Sequence, residues 1–112
     1  MATAFANEAA FIHETGQLSV PDIARATGAN ETTVRAWLRG ERSPTGDRAE
    51  RLIELSSIVE RLVRVMQAAY VPIWLRKPIP LLDDDKPLDV IATGDYRRVS
   101  RVIAGLEASG AS

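Results

Sequence analysis

Three arginines lie close together in the sequence, at Arg35, Arg39 and Arg42, although the chain as a whole carries a formal net charge of -1. Arg35 and Arg39 are four residues apart in a segment of helical pattern, so their side chains share one helix face. A guanidinium presents its donors in one plane, which suits the acceptor edge of guanine and the oxygens of a phosphate. The spacing therefore predicts a face that binds the major groove of DNA, with Arg42, beyond the helix end, contacting phosphate.

The residues around these arginines complete the predicted recognition face. The N-terminal part of a recognition helix enters the major groove and contacts base edges there. Glu31 would repel phosphate unless it accepts a hydrogen bond from cytosine. A helical hairpin whose arginines are merely solvated is the alternative interpretation, and the sequence leaves it open. The predicted DNA-binding residues are Asn30, Glu31, Thr32, Arg35, Ala36, Arg39 and Arg42.

Catalytic and metal-binding patterns are poor in this sequence. The one histidine, His13, has no nucleophile evident near it, so we interpret it as a helical surface residue. The consecutive carboxylates of residues 83–85 lack the spacing of a calcium loop, and we expect a solvated loop that caps the next helix. No glycine-rich phosphate loop is present. The sequence therefore predicts a protein that is not an enzyme and binds no cofactor or metal.

The elements that must position the arginines have the pattern of a helix-turn-helix. Helices are predicted over 20–27 and 31–39, separated by Gly28, which tolerates the positive φ of a sharp turn. Asn30 is a favourable N-cap for the second helix, and Val34 is placed to anchor it in the core.

The other predicted elements are also helices, which makes the fold class all-α. Ser19 and Asp22 have the spacing of a capping box before residue 20. The long central helix carries apolar residues at three- and four-residue steps, enough to face its own domain and a second chain. The further helices are predicted over 3–15, 46–70 and 73–76, from Pro87 to near Gly94, and after Asp95 as the cap of a last helix.

Length and composition indicate a small soluble protein. The 112 residues suffice for one ordinary domain, and 46% of them are hydrophobic. The absence of cysteine, of a signal-like N-terminus and of a long apolar run favours a cytoplasmic protein without a membrane span. We predict a helix-turn-helix domain over 1–45 and a helical dimerisation and partner-binding domain over 46–112.

A proline-rich apolar segment in the second half gives a second signal. Residues 71–88 read VPIWLRKPIPLLDDDKPL and contain four prolines, which is too apolar for a free linker. The large side chains either form a small core or present a proline-stiffened docking surface, and both interpretations stay open. The residues concerned are Trp74, Pro78, Pro80, Leu81, Leu82 and Pro87.

Four motifs give the chain a resemblance to a known family. They are WLRGERSP at 37–44, WLRKPIPLL at 74–82, KPLDVI at 86–91 and TGDYRRV at 93–99. In this order they resemble the Xre/MbcA/ParS-type antitoxins, whose partners are RES-domain toxins. The fold implied is an Xre-like helix-turn-helix unit, followed by a long helix and a small helical toxin-binding domain.

The resemblance implies an antitoxin that covers the active-site entrance of an NAD-depleting toxin. NAD would belong to the toxin, and the first half would bind operator DNA as a homodimer to regulate the operon. A stand-alone helix-turn-helix regulator, whose second half only dimerises or binds another protein, is the alternative. The implied toxin-facing residues are Trp74, Pro78, Pro80, Leu82, Pro87, Tyr96, Arg97, Arg98, Arg101, Ala108, Ser109, Gly110, Ala111 and Ser112.

Overall fold

The computed structural model describes residues 4–109, and within that range every regular element is helical, as the sequence predicts. Two 3₁₀ turns, Ala68–Tyr70 and Pro80–Leu82, lie between helices of the second half. The α-helices are α1 (Ala4–Glu14), α2 (Val20–Thr27), α3 (Glu31–Leu38), α4 (Gly46–Val65), α5 (Val71–Arg76), α6 (Pro87–Ala92) and α7 (Tyr96–Ala108).

The junction between α2 and α3 has the predicted local structure. The Ser19 side chain accepts a hydrogen bond from the Asp22 N–H, and the Asp22 carboxylate accepts one from the Ser19 N–H, which forms the capping box. Gly28 ends α2 with φ of 81°, a left-handed conformation that glycine adopts without a Cβ clash. The Asn30 side chain then accepts a hydrogen bond from the Thr33 N–H at 2.8 Å and begins α3.

The long helix α4 ends five residues earlier than the prediction of Tyr70. It stops at Val65, and Met66 is extended with φ of -150° and ψ of 164°. The chain then restarts as α5, which places Pro72 in a first helical turn. A proline costs no intrahelical hydrogen bond there, whereas inside a continuous helix it would remove one.

One hydrophobic core connects the two halves of the chain. Trp37 of α3 and Leu75 of α5 belong to the same buried cluster as Ile91 of α6 and Ile103 of α7. The apolar side of α4 runs through this cluster and leaves Ile53 as its one large hydrophobic side chain that is exposed. The boundary at residue 45 coincides with the start of α4, and the division into two domains stays a prediction.

Two ion pairs join α2 to helices of the second half. The Arg76 guanidinium of α5 donates to both Asp22 carboxylate oxygens, one of them at 2.9 Å. Burial tends to raise the pKa of Asp22, but hydrogen bonds from Arg76 and from Ser19 outweigh it and hold that pKa below its ordinary value. On the next turn of α2, Arg25 donates to the two oxygens of Asp89 on α6. Ion pairs as well as the shared hydrophobic core therefore join the N-terminal and C-terminal halves of the chain.

Of two predicted helix caps, one lies in the predicted position and the other is wrong. Asp95 holds the N-cap position of α7 with φ of -102° and ψ of 49°, but its side chain makes no capping bond. Lys86, not a residue of the acidic run 83–85, holds the N-cap position of α6, again without a side-chain bond. The Asp83 carboxylate instead accepts a hydrogen bond from Arg98 of α7 at 3.2 Å. A guanidinium from a distant segment thus pairs with the carboxylate that sequence proximity assigned to a helix end.

Candidate functional site

The outward face of α3 carries most of the predicted DNA-binding side chains. Asn30, Glu31, Thr32, Arg35, Arg39 and Arg42 are all exposed. Ala36 is 6% exposed, so its assignment to this face is wrong. It lies on the inward side of the helix with Val34 and Trp37, where their apolar side chains are buried.

The arginines of this face are paired with glutamates close in sequence. Arg35 donates to Glu31 at 3.1 Å, and Arg39 donates to Glu41 at 3.0 Å. All four side chains are about half exposed, and such solvated pairs contribute only about 0–1 kcal/mol. Within residues 4–109 Arg42 forms no ion pair. Binding to DNA therefore requires the exchange of two weak internal ion pairs for contacts with phosphate or bases.

Three of the predicted toxin-facing residues lie in the core. Trp74 is 6% exposed, Leu82 is 0% exposed, and Pro87 is also buried. Their assignment to an exposed docking surface is wrong, because these apolar side chains pack against the rest of the chain. Pro78 and Pro80 remain exposed on the segment between α5 and α6.

Helix α7 presents the remaining predicted residues, as far as they are described. Arg97, Arg101, Ala108 and Ser109 are exposed, while Tyr96 and Arg98 are partly buried. Arg61 of α4 holds α7 in place through hydrogen bonds to the Glu107 carboxylate and the Ser100 hydroxyl. The pKa of Glu107 is lowered by its hydrogen bond from Arg61. The predicted tail residues Gly110, Ala111 and Ser112 lie outside the described residues.

A depression of about 230 Å³ lies between the second 3₁₀ turn and α7. Its lining comprises Leu81, Arg98, Arg101 and Val102. Leu81 is 79% exposed, the largest exposed fraction of any large hydrophobic side chain in the described chain. Leu81 is part of the proline-rich segment 71–88 identified from the sequence. Its position next to α7, however, depends on tertiary packing that the sequence pattern does not reveal.

A second depression, of about 280 Å³, lies between α1 and α4 and has an acidic lining. The Ser56 hydroxyl donates to the Glu8 carboxylate, and Glu60 accepts from Arg64 at 2.8 Å. Both glutamates of this lining and the Ser56 hydroxyl therefore already have partners. Across residues 4–109 no group of three or more His, Cys, Asp or Glu side chains could hold a metal ion.

The remaining candidate for chemistry, His13, has a structural contact. Its Nδ1 lies 2.7 Å from the Leu18 carbonyl oxygen, so the tautomer with a proton on Nδ1 donates to the loop that precedes α2.

Among the described helices none is both long and apolar enough to cross a membrane.

Within residues 4–109 the fold has seven α-helices and exposes arginines on α3 and on α7, so its class is that of a small all-helical protein. No family model matches the chain. The mycobacterial cidal antitoxin MbcA, from Mycobacterium bovis and from two strains of Mycobacterium tuberculosis, is 29% identical over 86 residues. That alignment covers 77% of this chain and 76% of MbcA.

Structural comparison agrees with the sequence comparison. The fold matches one chain of the crystal structure of the M. tuberculosis MbcT–MbcA toxin–antitoxin complex with a TM-score of 0.86 and 25% sequence identity. The match covers 97% of this chain and 98% of the other. The chain is therefore homologous to the MbcA antitoxin, which confirms the resemblance to this type of antitoxin.

Proposed function

We propose that this chain is the antitoxin of a toxin–antitoxin pair and that it neutralises its toxin by direct protein contact. The observation that carries the proposal is the fold match along 97% of the chain with a protein crystallised in a toxin–antitoxin complex. The match extends through α7, so it includes the half of the chain to which the resemblance assigns toxin binding.

The proposed mechanism is occlusion of the toxin rather than chemistry by this chain. The motifs at 74–82, 86–91 and 93–99 support a RES-domain, NAD-depleting toxin as the partner. The antitoxin would cover the entrance of the toxin active site with α7 and the tail, and NAD would bind only to the toxin. Arg97 and Arg101, both exposed on α7, would provide charged contacts in that interface.

Co-expression with the adjacent reading frame tests the proposal. Expressed alone, the neighbouring protein should arrest growth and lower cellular NAD. Together with this chain it should allow growth and co-purify as a stable complex. Loss of NAD separates the RES-type activity from other toxic activities. A neighbour that is harmless alone and does not co-purify would exclude the antitoxin function.

Binding of operator DNA by the α3 face is the second proposed role. The exposed arginines at positions 35, 39 and 42 support it, and a homodimer would double the few phosphate contacts that one chain supplies. Gel-shift titration with the chain's own promoter tests this role, and light scattering gives the oligomeric state. A chain that binds this promoter but no neighbouring protein would be the stand-alone regulator. The proposed location for either role is the cytoplasm.

A further inference from the structure

We propose that the depression between the second 3₁₀ turn and α7 binds a segment of the toxin in which an apolar side chain is next to an Asp or Glu. Leu81 is the apolar anchor of this site, and Arg98 and Arg101 bind the carboxylate. The inference depends on the proposed antitoxin function and identifies one part of the surface that contacts the toxin and the chemistry of the segment it binds.

The turn that carries Leu81 is fixed before any partner binds. Its backbone is closed by hydrogen bonds from Leu82 N–H to the Ile79 carbonyl at 2.8 Å and from Ile79 N–H to the Asp85 carbonyl at 3.1 Å. Leu82 is 0% exposed and Ile79 is 6% exposed, so the turn is anchored on both sides of Leu81. A side chain presented on a rigid backbone loses little conformational freedom on binding. Leu81 is therefore suited to be a preorganised contact rather than a flexible loop residue.

The other wall of the depression is cationic. Arg98, Arg101 and Val102 lie at three- and four-residue steps of α7, so all three share the face toward Leu81. Val102 packs against the core and extends the apolar floor, while the guanidiniums rim it. Two guanidiniums beside exposed apolar surface favour a carboxylate next to an aliphatic or aromatic side chain over a cationic or purely polar segment.

Of the two guanidiniums, that of Arg98 already has internal carboxylate partners. Arg98 donates to Asp83 at 3.2 Å and lies 4.0 Å from the Asp95 carboxylate, whereas Arg101 forms no ion pair within residues 4–109. The Asp83 side chain is 92% exposed, and its φ of 56° places the residue in the left-handed region. An ion pair this exposed is weak. A carboxylate of the partner can therefore replace the Asp83 carboxylate at Arg98. In the free chain the Asp83 carboxylate occupies the position that the partner's carboxylate would take.

The occupant is a toxin segment and not a second copy of this chain. In a two-fold contact through this depression the same patch would face itself. Arg98 and Arg101 would then approach their own copies, which like-charge repulsion opposes.

The test is calorimetric titration of the purified full-length chain with the toxin encoded beside it. Leu81→Ala should weaken binding by about tenfold, as expected for a central anchor. Arg101→Glu should weaken it by roughly tenfold to a hundredfold and make it less sensitive to added salt, because a repulsion that salt screens replaces an attraction. Asp83→Asn should tighten binding by about threefold, because it removes the nearer of the two carboxylates that pair with Arg98. Asparagine also tolerates the left-handed conformation, so this variant keeps the turn.

Matched control variants lie on α4, away from the depression. Ile53→Ala removes a large apolar side chain that is 51% exposed, and Arg48→Glu reverses an exposed arginine in the first turn of α4. Both should bind the toxin as the wild type does. Thermal unfolding of the Leu81→Ala chain should also be unchanged, because the side chain contributes little to the core.

A photo-crosslinking residue in place of Leu81 identifies the occupant directly. The crosslinked toxin peptide, identified by mass spectrometry, should contain an Asp or Glu next to an apolar residue. Wild-type affinity of both the Leu81→Ala and Arg101→Glu variants, or a crosslink to a second copy of this chain, would overturn the inference while the antitoxin function stands. If the wild-type chain binds no toxin, the proposed function itself fails.

Discussion

The outward face of α3 and the depression beside α7 both display arginines, but they are built differently. On α3 the guanidiniums of Arg35 and Arg39 are paired with glutamates at most four residues away. Beside α7, Arg98 and Arg101 converge with Leu81, which an intervening helix separates from them in sequence. The first surface is therefore a local property of one short segment, and the second exists only in the folded chain.

This difference has consequences for how each surface binds. The α3 face offers charge and hydrogen bonds with little apolar area, so its affinity for a partner should depend strongly on salt. The depression combines an apolar anchor with charge, which is the composition of a protein-binding hot spot. Substitutions on one surface should therefore leave the activity of the other intact.

The largest expected effect is on DNA binding. The double variant Arg35→Ala/Arg39→Ala should reduce affinity for the chain's own promoter by about a hundredfold, and its salt dependence should become shallower. Fluorescence anisotropy at several salt concentrations measures both quantities. Arg64→Ala is the matched control, since Arg64 also forms an exposed i,i+4 pair, with Glu60. Unchanged promoter binding by the double variant would show that the recognition face is assigned incorrectly.

Deletion of the C-terminal tail, residues 108–112, tests the proposed toxin-binding surface. Deletion of residues 108–112 should weaken neutralisation of the toxin by about tenfold, while the free energy of unfolding changes by less than about 0.5 kcal/mol. Ala108 and Ser109 are exposed, and the described part of the tail makes only local bonds, such as that from the Ser109 hydroxyl to the Leu106 carbonyl. Growth rescue and thermal unfolding are measured on the same protein. Full neutralisation by the truncated chain would remove the tail from the mechanism.

The ion pair that joins the two halves of the chain is tested at Asp22. Asp22→Asn should destabilise the chain by about 1–2 kcal/mol, because it weakens a capping box and removes the ion pair with Arg76. The pKa of Asp22 is lower in the folded chain, so the folded state binds fewer protons than the unfolded state near that pKa. The stabilisation is complete above about pH 5 and is lost as the pH falls through the folded pKa.

Urea unfolding at several pH values measures this effect. The difference in unfolding free energy between wild type and Asp22→Asn should shrink from pH 6 toward pH 3. Asp84→Asn, at an exposed carboxylate without an ion pair among residues 4–109, is the control and should change stability little. A difference that stays constant with pH would contradict the role of the Asp22 charge.

The smallest expected effect concerns Glu31. Glu31→Gln should raise promoter affinity by about threefold, because it frees Arg35 and removes a charge that repels phosphate. Glu60→Gln, which frees Arg64 on α4 in the same way, should leave the affinity unchanged. Weaker binding by Glu31→Gln would instead indicate that the carboxylate accepts a hydrogen bond from a base.

Features that depend on neighbours in sequence could be predicted. The capping box at Ser19 and Asp22, the left-handed turn at Gly28 and the cap at Asn30 each involve residues within three positions of one another. Local hydrogen bonding and backbone sterics determine such features, so the sequence specifies them directly. The all-helical class followed from the apolar periodicity in the same way.

Features that depend on tertiary contacts were predicted less well. The apolar periodicity of residues 46–70 does not show where α4 ends. The end at Val65 depends on how the next helix, α5, begins at Val71 and packs. Trp74 and Leu82 are equally plausible as core or as docking residues until the packing is known. The depression at Leu81 was missed for the same reason, because its two walls come from separate segments.

The shared core places a limit on genetic dissection of this protein. A fragment that ends before α5 would expose to water the core residues that pack against Leu75 and Ile91. A fragment without α2 and α3 would likewise expose the core residues of the second half. Neither fragment would be a reliable carrier of one activity, because each would be prone to aggregation or proteolysis. Single surface substitutions, rather than shortened genes, are therefore the suitable variants for separating the proposed DNA binding from the proposed neutralisation of the toxin.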